Sequence, residues 1–362
     1  MENKDSYQAD LFTNRLKKKY RELRKWARKS GAGCYRVYDR DIPEIPLSLD
    51  VYEFLPEELH GSDERKAFVA EQNARVAAND PLIEKELESR RYAVLYLYER
   101  PYEKPEDEET AWLSLMAISA SYALSIPVSH VIKKMRRQQK GLSQYEKSAE
   151  GAALCGIVHE QDLFFSVNLT SYLDTGLFFD HRPLRALLRE NAGGKRVLNL
   201  FCYTGSFSVY AAAGGASYVE SVDLSNTYLG MARNNMAQNG FSDAKKYVFT
   251  KADAIKWLLQ RSENVSSAPR FDIIVLDPPT FSNSKSSENI LDINRDWPLL
   301  VEQCVSLLNP NGILYFSTNS SRLSFDEKRL PKNTQCRDIT AATVPRDFEG
   351  TKCHRCWKIV LY

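Results

Sequence analysis

Asp223, Asp253 and Asp277 each close a short apolar run, so an acid stands at successive strand ends, a pattern hard to explain as packing. Clustered carboxylates repel one another when unpaired and are satisfied when they face a ligand carrying a sulfonium, an ammonium and hydroxyls. S-adenosylmethionine carries all of these groups. Asp223 would accept hydrogen bonds from ribose hydroxyls and Asp253 would meet an adenine amino group, while Asp277 is followed by Pro278 and Pro279. The competing readings are local: a helix N-cap for Asp223, and a cap on the following loop for Asp277. The turn upstream narrows the ligand. Val197-Leu-Asn-Leu-Phe-Cys-Tyr-Thr-Gly-Ser is an apolar strand, then a tight turn at Gly205, then a small-residue helix from Val209 to Ala213. A dinucleotide site wants several glycines so that backbone can cradle a pyrophosphate, but Gly205 stands alone between Tyr203 and Ser206. Nicotinamide oxidoreduction is disfavoured on that ground.

These residues need a scaffold that delivers strand ends to one edge. Arg196 to Phe201, Ser217 to Val222, Lys246 to Thr250, Phe271 to Leu276 and Gly312 to Ser317 read as strands with helices between them. Their runs are too apolar to have one wet face, which predicts a mostly parallel sheet covered on both sides, a Rossmann-like α/β domain over residues 166–362. Residues 1–165 read as a smaller α+β domain. Leu16, Tyr20, Leu23 and Ala27 recur at helical spacing in a basic helix from Leu11 to Lys29, ended by Gly31 and Gly33. Cys34 to Tyr38, Ser48 to Phe54, Tyr92 to Tyr98 and a run from Val131 read as strands. Residues 56–91 read as mostly helical, Pro101 to Glu109 as an acidic loop, and Ala111 to Ser125 as an apolar helix.

Composition agrees with a folded chain: 362 residues, 43% hydrophobic and 27% charged, which excludes disorder and collagen. Basic residues number 49 against 47 acidic ones, a net charge of +2, so affinity for nucleic acid must come from local clusters. No apolar run reaches the roughly 18 residues a membrane helix needs, and Met1 to Asp10 lacks a signal peptide's apolar core. A cytoplasmic location with reduced thiols is expected, since the 7 cysteines form no disulfide framework.

Asn199-Leu-Phe-Cys-Tyr-Thr-Gly, with Asp223, Asp253 and Asp277-Pro-Pro-Thr-Phe, resembles the Rossmann-like class I S-adenosylmethionine-dependent RNA methyltransferases. The likeness sharpens at Tyr172-Leu-Asp-Thr-Gly-Leu-Phe-Phe-Asp-His-Arg, at Gln139-Lys-Gly-Leu-Ser-Gln-Tyr and through Asp277 to Lys285. These look like the RlmK family, the guanine-N7 half of the bifunctional 23S rRNA methyltransferases. The resemblance covers nearly the whole chain. It implies a cofactor site of Asp180, Arg182, Asn199, Phe201, Tyr203, Thr204, Gly205, Asp223, Leu224, Asp253, Ala254 and Asp277, with Asp277, Pro278 and Phe281 at the chemistry. It further implies that 23S rRNA or a large-subunit precursor is the substrate. The guanine-N2 half lies outside this sequence, so the chain is expected to be free-standing or a separated domain, with a guanine-N2 methyltransferase as a candidate partner.

Guanine N7 carries an in-plane lone pair and no proton, so transfer needs positioning rather than a general base. Asp277 would orient the base and favour the growing positive charge, and Phe281 would stack on a base taken out of its helix or else anchor the core. Cytosine-C5 methylation would need a cysteine nucleophile, yet the segment after the fifth strand reads Phe316-Ser-Thr-Asn-Ser-Ser, and Cys202 sits in the cofactor turn. Exocyclic-amine methylation and a non-catalytic ribosome-assembly factor remain the other readings. Asp180 and Arg182 would address charged groups of the cofactor, with an N-cap as the alternative for Asp180, and His181 reads as structural. Lys133, Lys134, Arg136, Arg137 and Lys140, with no acid among them, read as an RNA phosphate contact, Gln138 standing where a further base is expected. Cys353-His-Arg-Cys356 has metal-pair spacing but no second pair, so no metal is read there.

Overall fold

The computed structural model describes residues 2–99, 104–136, 153–265, 268–282 and 291–362. The chain divides into two compact units, Met1–Phe179 and Asp180–Tyr362.

In the first unit, helix α1 (Glu2–Ser30) buries Phe12, Leu16, Tyr20, Leu23 and Ala27 on one stripe, the spacing read in the sequence. Gly31, at φ 69°, ends it, and Ala32 N–H reaches back to the Ala27 carbonyl at 2.8 Å. Strands β1 (Cys34–Asp39) and β2 (Leu47–Glu53) follow, then helices α2 (Ser62–Ala77) and α3 (Pro81–Arg90) and strand β3 (Arg91–Tyr98). Helix α4 (Glu106–Leu124) begins inside the stretch expected to be a loop. Its first turn holds Glu106, Asp107, Glu108 and Glu109, and carboxylates there complement the helix dipole. Strand β4 (Val131–Arg136) completes a sheet of order β1-β2-β3-β4, antiparallel except for the β3–β4 pair. A hairpin of β5 (Cys155–Glu160) and β6 (Leu163–Asn168), unread in the sequence, joins this unit through Leu55 N–H to Ile157 O and Gly33 N–H to His159 O. A boundary at residue 165 would cut β6.

The second unit runs α5 (Arg182–Asn191), β7 (Arg196–Leu200), α6 (Ser206–Ala213), β8 (Tyr218–Asp223), α7 (Asn226–Gln238), β9 (Tyr247–Lys251), α8 (Ala254–Glu263) and β10 (Phe271–Leu276). A short pair, β11 (Phe281–Ser282) and β12 (Leu291–Asp292), precedes α9 (Ile293–Ser306), β13 (Leu308–Thr318), β14 (Thr334–Asp338), α10 (Thr340–Thr343) and β15 (Arg355–Leu361). The seven-stranded sheet has the order β14-β15-β13-β10-β7-β8-β9. Strands β7, β8, β9, β10 and β13 are parallel, and β15 runs against β13 and β14. The central strand β10 is buried on both faces: Ile273 and Val275 pack with Leu184 and Leu188 of α5, while Ile274 and Leu276 pack with Leu258 of α8 and Trp297 of α9, whereas the edge strand β9 is only half-buried. From β7 the chain winds outward through β8 and β9, then returns to the other side of β7 at β10. Such a switch point opens a crevice at the carboxyl ends of β7 and β10, where open α/β sheets bind ligands.

Candidate active site

The turn from β7 into α6 is strained. Phe201 and Tyr203 adopt left-handed φ values of 54° and 49°, and Gly205 follows at 73°. Each non-glycine residue there costs about 1–2 kcal/mol, and such strain concentrates where backbone must meet a ligand. Packing explains the glycine: a Cβ on Gly205 would lie 2.8 Å from Cβ of Ala232 in α7. The turn is braced at both ends. Asn235 Nδ2 donates to the Thr204 carbonyl at 2.9 Å, and Tyr203 N–H donates to Asp223 Oδ2 at 2.9 Å.

Asp223 is not the cap of α7, a role taken by Ser225, whose hydroxyl accepts from Tyr228 N–H at 3.2 Å. Its Oδ1 accepts from Ser225 N–H at 2.9 Å. Burial nevertheless raises its acid above the ordinary value, against the pull of the Ser225, Tyr203 and Leu224 amides. A half-buried carboxylate in that condition gains from further hydroxyl donors, which fits a ribose. Asp253 is the N-cap of α8: its Oδ1 accepts from Ile255 N–H at 3.0 Å and more weakly from Lys256 N–H. Oδ2 takes no hydrogen bond among the described residues. Ala254 is buried in the core beneath that cap.

Asn199 lies buried on β7. Its Nδ2 donates to Ser208 of α6 at 2.9 Å, and Ser208 in turn bonds Ser221 at 2.7 Å. Arg182 is buried against Asp347 with Nη1 3.0 Å from Oδ1. Both were expected at the cofactor; the contacts seen here link neighbouring elements, β7 to α6 and the start of α5 to Asp347. Cys202 is buried and its thiol is pushed well up by desolvation, so it is no nucleophile.

Asp277, at the end of β10, belongs to a buried group the sequence did not show. His181 Nδ1 lies 3.2 Å from Asp180 Oδ1, and its Nε2 lies 2.7 Å from Ser317 Oγ and 3.5 Å from Asp277 Oδ1. The first two are hydrogen bonds; the third is an ion-pair distance. Burial disfavours the charged imidazole, but Asp277 and then Asp180 outweigh it and raise His181 to about 10. For Asp277, burial alone would raise the acid, and the His181 cation instead holds it below its ordinary value. The same balance, with His181 and His354, keeps Asp180 well below. His354 stacks on His181 with centroids 4.5 Å apart and bonds Thr343 Oγ1 at 3.0 Å. Cys353 joins at the rear, 3.5 Å from His354 Nδ1. Asp180, Cys353 and His354 place ligand atoms within 4.8 Å of one another; burial pushes the Cys353 thiol up to about 11, and the spacing alone assigns no metal. Cys356 is buried inside β15.

Sequence reasoning set His181 aside because the reaction asks for no proton shuttle, and His354 aside with a cysteine pair that has no second pair at ligand spacing. The signal that finds them is the strand order, which brings the ends of β10 and β13 and the start of β15 together. Pro278 is buried after Asp277. Phe281 pairs by backbone with Asp292, and its side chain lies outside the described residues.

Among the described residues, the basic cluster does not form one surface. Lys134 Nζ bonds the carbonyls of Tyr172 and Leu173 at 2.5 and 3.1 Å, and Arg136 pairs with Asp174 at 3.0 Å, its guanidinium 4.6 Å from the Tyr96 ring. Lys133, one residue off that register, is directed to Ser114 of α4 at 3.0 Å. Arg137 and Lys140 lie outside the described residues. On α1, Arg15 and Lys19 pair with Asp41, and Arg24 and Arg28 with Glu84.

A sequence profile for S-adenosylmethionine-dependent methyltransferases matches residues 93–334, most of the chain. The chain belongs to the S-adenosylmethionine-dependent methyltransferases. This methyltransferase is 39% identical over 348 residues to ribosomal RNA large subunit methyltransferase K of Neisseria meningitidis serogroup B, covering 96% of this chain and 86% of that protein. It is 39% identical over 353 residues to ribosomal RNA large subunit methyltransferase K/L of Magnetococcus marinus, covering 97% of this chain but 43% of that longer protein. It thus groups with the ribosomal RNA large subunit methyltransferases. A solved SAM-dependent methyltransferase from Streptococcus mutans shares the fold, with a TM-score of 0.67 at 18% identity over 98% of this chain and 81% of that one. No helix among the described residues is long and apolar enough to cross a membrane.

Proposed function

We propose that this methyltransferase methylates N7 of a guanine in large-subunit ribosomal RNA, with the base swung out of its helix to reach the end of β10. When bound, S-adenosylmethionine supplies an electrophilic methyl carbon, whose bonding pair stays on sulfur as the nitrogen–carbon bond forms. Asp223, Asp253, Leu224 and the Phe201–Gly205 turn would hold it, and Asp277 would face the acceptor. The observation that carries the reading is the His181 imidazole 3.5 Å from Asp277 Oδ1, a neighbour that holds the carboxylate below its ordinary acid range. Such a carboxylate is a poor proton acceptor and a good counter-ion. N7 methylation releases no proton and leaves the purine cationic, so it asks for a counter-ion in a water-poor site. An exocyclic amine must lose a proton, and carbon methylation needs a nucleophilic thiol; the end of β13 offers Ser317 instead. The relatives' printed names support ribosomal RNA as the substrate class. Mass spectrometry of ribosomal RNA nucleosides from cells lacking the protein tests this. Loss of 7-methylguanosine is expected; loss of 5-methylcytidine or of an N2-methylated guanosine with 7-methylguanosine intact would refute it.

A further inference from the structure

The reading of Asp277 leaves open what fixes that carboxylate. Among the described residues its one charged neighbour within ion-pair distance is His181. The groups facing the His181 ring are Asp180 beside it in the chain, Asp277 after β10, Ser317 in β13, Phe207 in α6 and His354 before β15. Exposure falls inward across this group. The Asp277 side chain keeps 28%, Asp180 15%, His181 8% and His354 none, so Asp277 is its open end. We propose that His181 is the positioning residue for Asp277: a cation locked by Asp180 and Ser317 that holds the Asp277 carboxylate ionised at the mouth of the site.

The inference rests on Asp277 acting on the acceptor, and the charge pattern gives it content. Two carboxylates this close would otherwise oppose each other's ionisation, and one of them would take up a proton. One imidazolium between them leaves the group with a single negative charge, the amount that offsets the single positive charge appearing on a methylated purine nitrogen. His181 also contributes geometry. It is pinned on Nδ1 by Asp180, on Nε2 by Ser317 and across one face by His354, so the cation cannot follow Asp277 if that side chain swings out.

The test is single-turnover methyl transfer to ribosomal RNA across pH 5 to 9 by the full chain and its variants. His181→Gln keeps hydrogen-bonding capacity but removes the cation. It should lower the rate at neutral pH by about tenfold or more while leaving RNA KM within roughly twofold, and its loss should shrink as pH rises, because Asp277 then ionises at higher pH. The double variant Asp180→Asn/His181→Gln removes the opposing carboxylate and should recover most of the rate. A merely structural histidine would lose activity equally at every pH, with no recovery in the double variant, and that result would overturn the inference. If His181→Gln does not fold, nitrogen-15 NMR of the native imidazole decides: a ring doubly protonated through pH 8, titrating lower in Asp277→Asn, supports it, and a neutral ring at pH 8 sinks it. Asp277→Asn is run alongside. Full activity there would refute the role of Asp277 itself, whereas an impaired Asp277→Asn beside an unaffected His181→Gln would refute this inference alone.

Discussion

Charge is crowded in both units, and the two crowds end differently. On β4, Lys134 is engaged by two carbonyls and Arg136 by Asp174 and the Tyr96 ring, although the Arg136 side chain keeps 29% exposure. After β10, Asp277 is held from behind by His181 and keeps an exposed side. In sequence, both look like functional clusters. The difference teaches that a charged residue's role follows from whether its partners use up its capacity, which only the fold decides.

The comparison breaks first at Asp277. Replacing it with Asn should slow methyl transfer by about 100–1000-fold, the range seen when one charge-stabilising group is removed, with cofactor affinity little changed by calorimetry. A small loss would place Asp277 with the structural acids. Asp223→Ala should raise the dissociation constant for S-adenosylmethionine about tenfold, since hydroxyl bonds and the brace on Tyr203 N–H both go. Unchanged binding by a folded variant would remove Asp223 from the site.

On the β4 side the predicted effects are on stability. Lys134 is lowered by burial to about 8 from 10.5, so between those values the unfolded chain binds more protons and stability should climb with pH. Denaturant midpoints compared across pH 8–10 should show that rise in the native protein and a flatter line in Lys134→Met; parallel lines would contradict the buried assignment. Smallest of all, Arg136→Ala should leave the salt dependence of RNA binding unchanged while destabilising the fold by roughly 1–3 kcal/mol. A drop in the salt slope near one unit would instead return Arg136 to the RNA.

The central parallel strands were legible because they are largely buried: Phe271–Leu276 ends where the apolar run ends. The basic helix was legible in its stripe from Leu16 to Ala27, but it starts at Glu2 rather than at the expected Leu11. Helix α4 was misjudged at its start because four acids and a proline resemble a loop, although acids at a helix N-terminus are stabilising. The strand-end acids were readable from spacing. Their different fates were not: Asp253 caps a helix, Asp223 braces a turn, and Asp277 meets a histidine 96 positions earlier in the chain. Asn199 and Arg182 matched a motif by position, yet Ser208 and Asp347, which take them, are found only once helices pack. His354 was hidden in a cysteine pair that suggested metal.

The most direct test is a crystal structure of the protein soaked with S-adenosylmethionine. The donor should sit against the Phe201–Gly205 turn, its ribose on Asp223 and its methyl group toward Asp277. Finding it bound elsewhere, or finding both aspartates still bonded only to protein groups with the donor in place, would contradict the account.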